Sequence, residues 1–262
     1  MSKEPLLLGI SCLHYEWNSL DEAFNRCVEE FGLELIEFST GSISEEDYDV
    51  CRTLSEKYSV QLGLHAWDNL PAMGQDDGET QALKLLNVCQ QMGSKYLILH
   101  MGSHPNRKAG IQLITDICAR IAPDFEDNNV LLCLENHYPY EYKEQNELGG
   151  VPDDFLPLFN LVNSPSIRFC LDYGHSNMAD NTDDFIACLH PYLAYTHIAD
   201  NMGEHDEHLA FGEGTVDWQH VLWATLKTGF RGPYVIEFPE LHGIEFFTKF
   251  LQTIKELDRN SL

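Results

Sequence analysis

Short apolar runs rich in β-forming residues alternate along the whole chain with longer segments of helical periodicity. Eight runs predict β-strands: Leu6–Ser11, Leu33–Phe38, Val60–His65, Tyr96–His100, Val130–Glu135, Ile167–Asp172, Leu193–His197 and Tyr234–Glu237. Between them apolar residues recur every three or four positions, as in Glu79–Gln91 and Ala109–Ile121, which predicts amphipathic helices. Strands that alternate with helices indicate a parallel sheet, and eight such units close well into a barrel.

The length of the chain agrees with one barrel. A chain of 262 residues has the usual size of a (β/α)8 TIM barrel, and we expect a single domain over residues 1–262. Two average domains would also fit, and a doubly wound open sheet is the structural alternative. Such a sheet usually has a glycine-rich first turn, whereas the first predicted strand is followed by Cys12-Leu13-His14-Tyr15. The pattern therefore favours the barrel.

Six consecutive predicted strands, from the third to the eighth, end in an imidazole or a carboxylate. These end residues are His65, His100, Glu135, Asp172, His197 and Glu237. His175 follows one turn after the sixth strand, and the loop after the seventh strand contains Asp206 and His208. Because strand ends form a ring in a barrel, these side chains are expected to converge on the barrel axis.

Convergence of several carboxylates points to a metal ion. Carboxylates in one small space repel each other and resist ionisation, and a divalent cation removes that penalty. Mixed oxygen and nitrogen ligands suit Mn²⁺, Zn²⁺, Co²⁺ or Fe²⁺. A single histidine at a strand end is more often a hydrogen-bonded core residue than a metal ligand. Glu37, at the end of the second strand, is as readily explained by a structural hydrogen bond as by a place at the C-terminal opening of the barrel, which we call the mouth. His14, His104, His137 and His205 are predicted to be structural or exposed.

The charge of the chain bears on its partners. Lys and Arg total 16 against 42 Asp and Glu, for a net charge of −26. Phosphate backbones and anionic membranes need basic surfaces, so neither nucleic acid nor a membrane is an expected partner. No apolar run reaches the roughly 20 residues of a membrane helix, and the first residues do not resemble a signal peptide, so we expect a cytoplasmic protein. The eight cysteines contain no Cys-x-x-Cys pair and are predicted to be reduced and mostly buried.

The segment from His197 to Trp218 carries a family resemblance. It contains His-x-x-Asp (His197 to Asp200), Asp-x-His (Asp206 to His208) and Gly-x-Gly-x-x-Asp-Trp ending at Trp218, in that order. With the strand ends, the chain resembles the xylose-isomerase-like TIM barrel superfamily over nearly its whole length. That superfamily includes sugar isomerases and epimerases, inosose dehydratases and metal-dependent apurinic endonucleases.

The resemblance implies two sets of metal ligands. In the isomerase and epimerase members, the positions matching Glu135, Asp172, His197 and Glu237 hold one metal ion. In the endonuclease members a larger set holds three zinc ions. All nine of its positions have a matching residue here: His65, His100, Glu135, Asp172, His175, His197, Asp206, His208 and Glu237. The expected cofactor is one divalent ion, Mn²⁺, Zn²⁺ or Co²⁺, with room in the ligand set for as many as three.

The first functional hypothesis is a carbohydrate isomerase or epimerase that acts on a keto sugar or a related polyol. A metal ion that holds the carbonyl and an adjacent hydroxyl makes the C–H between them acidic, and proton removal gives a cis-enediolate. Glu135 and Glu237 are the expected catalytic acid–base pair. Residues expected to contact the sugar are His175, Trp17, Trp67 and Phe238. The sequence leaves open the sugar, its phosphorylation, isomerase against epimerase or dehydratase, and the oligomeric state.

The second hypothesis is a phosphodiester hydrolase of the apurinic endonuclease type. The nine-residue ligand set supports it, and the charge opposes it. The loop Asn201–Phe211 has no Lys or Arg, and Arg107 with Lys108 is the nearest basic pair. This shortage also favours an unphosphorylated sugar. A third hypothesis is a barrel that binds a sugar without catalysis, which the full ligand set disfavours.

Overall fold

The computed structural model describes residues 4–12, 18–138, 141–142, 144–239 and 244–260. Within them, parallel strands close into an eight-stranded barrel. The barrel strands are β1 (Leu8–Ser11), β2 (Leu35–Ser39), β3 (Gln61–Ala66), β4 (Tyr96–His100), β5 (Leu131–Glu135), β6 (Ile167–Asp172), β7 (Leu193–Ile198) and β8 (Tyr234–Ile236). Each strand pairs with the next along the chain, and β8 pairs with β1 through Leu8 and Tyr234, which closes the ring. The predicted single-domain (β/α)8 barrel is confirmed.

Helices follow the strands and cover the outside of the barrel. They are α1 (Leu20–Asn25), α2 (Tyr48–Tyr58), α3 (Leu70–Met73), α4 (Gln75–Met92), α5 (Arg107–Asp127), α6 (Pro152–Val162), α7 (Tyr173–Met178), α8 (Thr182–Leu189), α9 (Trp218–Lys227) and α10 (Ile244–Asn260). A π-helical turn (Arg26–Glu30) extends α1, and short 3-10 turns occupy Glu45–Asp47 and His190–Tyr192. Asn106 caps α5 by accepting a hydrogen bond from the backbone N–H of Ala109 at 3.0 Å.

The strands bury side chains on both faces, as parallel barrel strands must. Outward residues such as Ile36, Leu97 and Leu134 join the larger core between strands and helices. Residues of the opposite parity form a smaller inner core: Leu35, Tyr96, Ile98, Cys133, Cys170, Tyr195 and Val235. Two positions further along the same inward-facing rows lie Glu37, His100, Glu135, Asp172, His197 and Glu237. The barrel interior therefore has an apolar lower layer and a polar upper layer at its C-terminal end.

A small antiparallel sheet lies beyond the ends of β4 and β5. It consists of Ser103–His104, Glu141–Tyr142 and Gln145–Glu147. The backbone N–H of His137 donates to the carbonyl of Gly149 at 3.1 Å, which ties the segment after β5 to the far end of this excursion. The sheet thus fixes the path of the chain on one side of the mouth.

All eight cysteines are described and all are free thiols, seven of them buried and Cys188 exposed. The helices that the structure describes include none that is long and apolar enough to cross a membrane.

Candidate metal centre and active site

Four side chains from four neighbouring strands meet at the top of the inner core. Glu135, Asp172, His197 and Glu237 each place one ligand atom within 4.8 Å of those of the other three. We call this group the central cluster. All four residues are at most 2% exposed. Three carboxylates and one imidazole form the mixed oxygen and nitrogen set that Mn²⁺, Zn²⁺ and Co²⁺ accept.

Local structure around β5 and β6 positions two of these ligands. The side chain of Asn136 donates to the backbone carbonyl of Asp172 at 3.0 Å and accepts from its N–H at 2.7 Å. This pair of bonds locks the ends of the two strands together. The carboxylate of Asp172 then accepts from the backbone N–H of His175 at 2.5 Å, as the N-cap of α7. Asp172 therefore begins a helix as well as facing the cluster.

His197 is held between carboxylates on both of its ring nitrogens. Its Nδ1 lies 3.0 Å from Oε1 of Glu135 and 3.5 Å from Oε2 of Glu237. Its Nε2 lies 3.0 Å from Oε2 of Glu37. One ring nitrogen thus faces the central cluster and the other faces a carboxylate outside it. His65 stacks against this imidazole with ring centroids 5.2 Å apart.

Several buried polar atoms around the cluster lack a hydrogen bond from the described residues. They are Oε1 of Glu37, both ring nitrogens of His65, Oε2 of Glu135 and Oε1 of Glu237. Buried polar atoms are nearly always satisfied in folded proteins, so such a concentration at one point calls for a further partner. The orphaned atoms are carboxylate oxygens and imidazole nitrogens, the donor types of a divalent metal site. The residues present therefore fit a bound divalent ion.

The buried ionisable side chains at the centre shift one another's pKa values. Burial alone lowers the pKa of His197, but Glu237, Glu37 and Glu135 outweigh it and raise that pKa well above its usual range. Burial raises the pKa of Glu135, and His197 and His100 reverse the shift and hold it well below normal. Asp172 behaves differently, because burial raises its pKa to about 6, opposed by His175 and aided by Glu135. Without a cation the imidazole of His197 takes up a proton, which balances part of the charge of the carboxylates.

The rim of the mouth carries further histidines. His175 Nε2 and His208 Nε2 each lie 3.4 Å from Oδ2 of Asp206, and His208 Nδ1 lies 2.8 Å from the carbonyl of Glu237. His100 Nε2 lies 3.4 Å from Oε2 of Glu135. The structure thus gathers all nine positions of the larger ligand set around one mouth. Their action as ligands stays a prediction.

The residues expected to contact a sugar lie in different surroundings. Trp67 is 49% exposed, with its ring centroid 5.9 Å from that of His65, so it stands at the rim beside the cluster. Phe238 is fully buried and packs 5.1 Å from the ring of Phe247 in α10, so the structure does not bring it to the mouth. Trp17 lies outside the described residues.

The structure places at the mouth two residues that the sequence pattern does not assign to the site. Glu37, given a structural role as readily as a functional one, is fully buried and contacts His197. Its position two residues after Leu35 on the same strand indicates that its side chain also points into the barrel. His137, predicted to be structural or exposed, lies with its ring 4.9 Å from that of His100 and 4.8 Å from that of His175. Burial lowers its pKa to about 3, helped by His175 and His100, so this imidazole is neutral.

Asp200 organises the loop after β7. Its Oδ1 accepts from the backbone N–H groups of Asn201 and Val216, at 2.9 and 3.2 Å. Its Oδ2 accepts from the N–H of Gly212 and from the indole of Trp218, at 2.9 and 2.8 Å. Asp200 therefore pins both ends of the segment that carries Asp206 and His208, and it is a scaffold of the site.

Arg107 and Lys108, the basic pair nearest the mouth, leave few charged groups free to bind an anion. Arg107 donates to both carboxylate oxygens of the buried Asp154, from Nε at 3.1 Å and from Nη2 at 2.6 Å. Because this bidentate pair occupies the guanidinium, only the exposed Lys108 is left of the two.

Comparison with known proteins agrees with this architecture. The family model described as Xylose isomerase-like TIM barrel matches residues 26–255. An uncharacterized protein of Methanocaldococcus jannaschii, MJ1311, is 24% identical over 248 residues, which cover 87% of this chain and 82% of that protein.

Solved structures share the fold over nearly the whole chain. A D-tagatose 3-epimerase-like protein superposes with a TM-score of 0.79 at 22% identity and 98% coverage of both chains. The 3-keto-D-glucoside 4-epimerase of E. coli superposes with a TM-score of 0.74 at 14% identity, covering 97% of this chain and 99% of its own. D-psicose 3-epimerase from Clostridium cellulolyticum H10 also gives 0.74 at 14% identity, with 98% and 99% coverage. At these identities the likeness concerns the fold, and the family match extends over most of the sequence: the chain belongs to the xylose isomerase-like TIM barrel family.

Proposed function

We propose that this protein is a metal-dependent carbohydrate epimerase or isomerase that acts on a keto sugar or a related polyol. The observation that carries the proposal is the placement of two buried glutamates around one imidazole. Glu135 and Glu237 belong to strand ends three places apart in the ring, yet both approach Nδ1 of His197, at 3.0 and 3.5 Å. Two carboxylates that flank one point are what proton removal and return at a sugar carbon require.

Glu135, Asp172, His197 and Glu237 would hold the divalent ion. Bound there, the ion would supply Lewis acidity, which makes the C–H bond beside a ketose carbonyl more acidic. One glutamate then takes this proton, and a second acid returns one to the resulting enediolate. Return to the opposite face of the same carbon gives an epimer, and return to the neighbouring carbon gives an isomer.

The protonation states of the two glutamates suit this role. Burial raises the pKa of Glu237, but His197, His65 and His208 reverse the shift and lower it. Glu135 is likewise held ionised, so either carboxylate can accept a proton at neutral pH. Burial of both also keeps bulk water from the carbon being deprotonated.

The charge and the neighbours of the site support the substrate class. A net charge of −26 and the pairing of Arg107 with Asp154 disfavour a phosphorylated sugar, which usually needs a free cationic group. The exposed indole of Trp67 offers a flat apolar surface for the C–H face of a sugar ring. Solved structures of the same fold include enzymes named as epimerases of keto sugars, which agrees with the proposal.

A phosphodiester hydrolase is the second candidate, and one observation favours it. His175 and His208 each contact Asp206 beside the central cluster, and the three positions match zinc ligands of the endonuclease members. The described rim between Asn201 and Phe211 has no Lys or Arg to bind a phosphate backbone. The sugar enzyme is therefore the better proposal.

The test is carbon-bound proton exchange. Protein loaded with Mn²⁺, Co²⁺ or Zn²⁺ is incubated with a panel of free ketoses in deuterated water, and deuterium at the carbon beside the carbonyl is followed by NMR and mass spectrometry. We expect at least one ketose to take up one deuteron per turnover and to yield an epimer or an isomer. Chelated protein is the negative control, and Glu204→Gln, which changes an exposed glutamate of the mouth, should keep full activity. Loaded protein that exchanges no ketose in the panel would contradict the proposal.

A further inference from the structure

Three imidazoles form a second group beside the central cluster. They belong to His100 at the end of β4, His137 after β5 and His175 in α7. Their ring centroids are 4.9 Å (His100 to His137), 4.8 Å (His137 to His175) and 5.6 Å (His100 to His175) apart. One ring nitrogen of each lies within 4.8 Å of those of the other two. We call this group the rim histidine cluster.

Backbone carbonyls fix the tautomers of two of these histidines. Nδ1 of His175 lies 2.9 Å from the carbonyl oxygen of Asn136, and Nδ1 of His137 lies 3.1 Å from that of Tyr138. Because a carbonyl oxygen only accepts, Nδ1 carries the hydrogen in each case. Nε2 of each ring is then the nitrogen left for a ligand, and that of His175 gives up its hydrogen bond to Asp206 when it binds an ion. Donation of the other N–H to a carbonyl is the usual second contact of a histidine that binds metal.

We propose that His100, His137 and His175 bind a second divalent ion of the Zn²⁺ and Co²⁺ class, distinct from an ion in the central cluster. An all-imidazole set suits these ions and does not suit Mg²⁺ or Ca²⁺, which need oxygen ligands. Three protein nitrogens leave a fourth tetrahedral position for water, as in catalytic zinc sites. The carboxylate of Asp206, 3.4 Å from Nε2 of His175, adds a negative charge beside the ion.

Binding requires a modest closure of the three side chains. Zinc–nitrogen bonds of about 2.0–2.1 Å in a tetrahedron place ligand nitrogens about 3.3 Å apart. The nitrogens here are within 4.8 Å of one another, so the three rings have to move closer together when an ion binds. His100 retains a quarter of its side-chain exposure, which gives the ion a path from solvent.

Of the three histidines, His137 is the one that does not also belong to an alternative metal site described below. His100 also groups with His65 and Glu135, and His175 also contacts Asp206, which is shared with His208. Neither of those arrangements includes His137. A change at His137 therefore tests the rim histidine cluster without removing a ligand of the alternatives or of the central cluster. The inference does not rest on the proposed sugar chemistry.

The experiment counts metal ions. Metal-free protein is dialysed to equilibrium against buffered Zn²⁺, and zinc per chain is measured by elemental analysis. We expect two equivalents for the unmodified protein and for His205→Gln, which changes an exposed histidine of the same mouth. His137→Gln should lose about one equivalent, and Glu237→Gln should retain the rim ion. Titration with Co²⁺ gives a second readout, because His137→Gln should lose the visible absorption of one four-coordinate ion.

The result that overturns the inference is an unchanged zinc content in His137→Gln. If His208→Gln loses an ion while His137→Gln does not, the ion belongs to His175, Asp206 and His208 instead. Circular dichroism of each variant confirms that it is folded. If the unmodified protein binds one ion and His137→Gln binds none, the result supports the rim site and counts against the central site. The experiment therefore tests the two metal sites independently.

Discussion

Nε2 of His197 lies 3.0 Å from Oε2 of Glu37, while Nδ1 of the same ring faces Glu135 and Glu237. The carboxylate of Glu37 accepts the Nε2 hydrogen, so Nδ1 is the nitrogen left for a ligand. A carboxylate behind a histidine ligand fixes its orientation and increases its basicity. Glu37 therefore acts as a positioning residue for the central cluster.

Removal of this carboxylate should weaken metal binding. We expect Glu37→Ala to lower the Zn²⁺ affinity of the central site by about 10–100-fold, the usual range for such outer contacts. Glu37→Gln should lose less, because its amide oxygen still accepts the Nε2 hydrogen. Affinity is measured by competition with a chelator of known strength. The exposed Glu34, on the segment that leads into the same strand, gives the matched control Glu34→Gln. Equal affinities in all four proteins would show that Glu37 does not position His197.

Metal binding should release protons. In the metal-free protein, burial lowers the pKa of His65 and His197, and the surrounding glutamates outweigh it and raise both well above normal. Both rings are then protonated at neutral pH, and a ring must lose its proton to bind an ion. The ionised Glu135 and Glu237 release none. Affinity should therefore rise with pH across the neutral range.

Calorimetry in two buffers of different ionisation enthalpy counts the released protons. We expect at least one proton per ion bound at the central site. Heats that do not depend on the buffer would show that His197 is already neutral, and would contradict the charge balance described for the cluster.

The sequence predicts the barrel and the ring of strand-end residues because alternate side chains along a strand point to the same face of the sheet. A strand that ends in Glu135 or Asp172 must direct that side chain inward if the residue two places before it does. The same rule explains Phe238, which follows the inward Glu237 and so packs outward against Phe247. It also places Glu37 inward with Leu35, although its partner His197 is 160 residues away and no local pattern reveals the contact.

His137 could not be placed from local pattern for a different reason. It follows β5 in a segment without regular periodicity, and its position depends on the hydrogen bond from its N–H to Gly149 and on the small antiparallel sheet. These contacts are set by a long excursion of the chain whose pairing the sequence does not specify. Loops of this kind are where sites acquire residues that strand periodicity cannot predict.

Removal of metal should destabilise the fold. An ion that binds the native state at 100 times its dissociation constant adds about 2.7 kcal/mol to the free energy of unfolding. For a chain of this size, that corresponds to a rise in Tm of roughly 5–10 °C. Differential scanning calorimetry of loaded and chelator-treated protein measures the difference, with Glu237→Gln as a variant that should show a smaller shift. An unchanged Tm on chelation would count against a tightly held ion.

Abasic DNA should not be cleaved. The mouth between Asn201 and Phe211 has no Lys or Arg, and Arg107 is already paired with Asp154. We expect no nicking of a duplex with a single abasic site, even at low salt, where electrostatic binding is strongest. Supercoiled plasmid treated to create abasic sites gives a sensitive assay, with an apurinic endonuclease as the positive control. Metal-dependent nicking that Glu135→Gln abolishes would reverse the order of the two proposed activities.

The acid–base pair gives the sharpest prediction about the sugar chemistry. Glu135→Gln and Glu237→Gln keep the size of the side chain and one oxygen that can contact an ion, but each removes a base. Each should lose at least about 10²-fold in turnover, the lower end of general acid–base contributions. Metal content should fall less than turnover, and elemental analysis of the same samples separates the two effects. Glu204→Gln again serves as the matched control.

Deuterium incorporation then assigns the face on which each glutamate acts. If Glu135 is the base for one epimer, Glu135→Gln should lose solvent exchange from that epimer, while a trace of exchange from the other epimer, through the intact Glu237, persists. The reciprocal pattern is expected for Glu237→Gln. A variant that keeps its metal and exchanges deuterium at the unmodified rate from both epimers would exclude that glutamate as the base. If both variants do so, the proton is moved by another group of the mouth, and the two-glutamate mechanism is wrong.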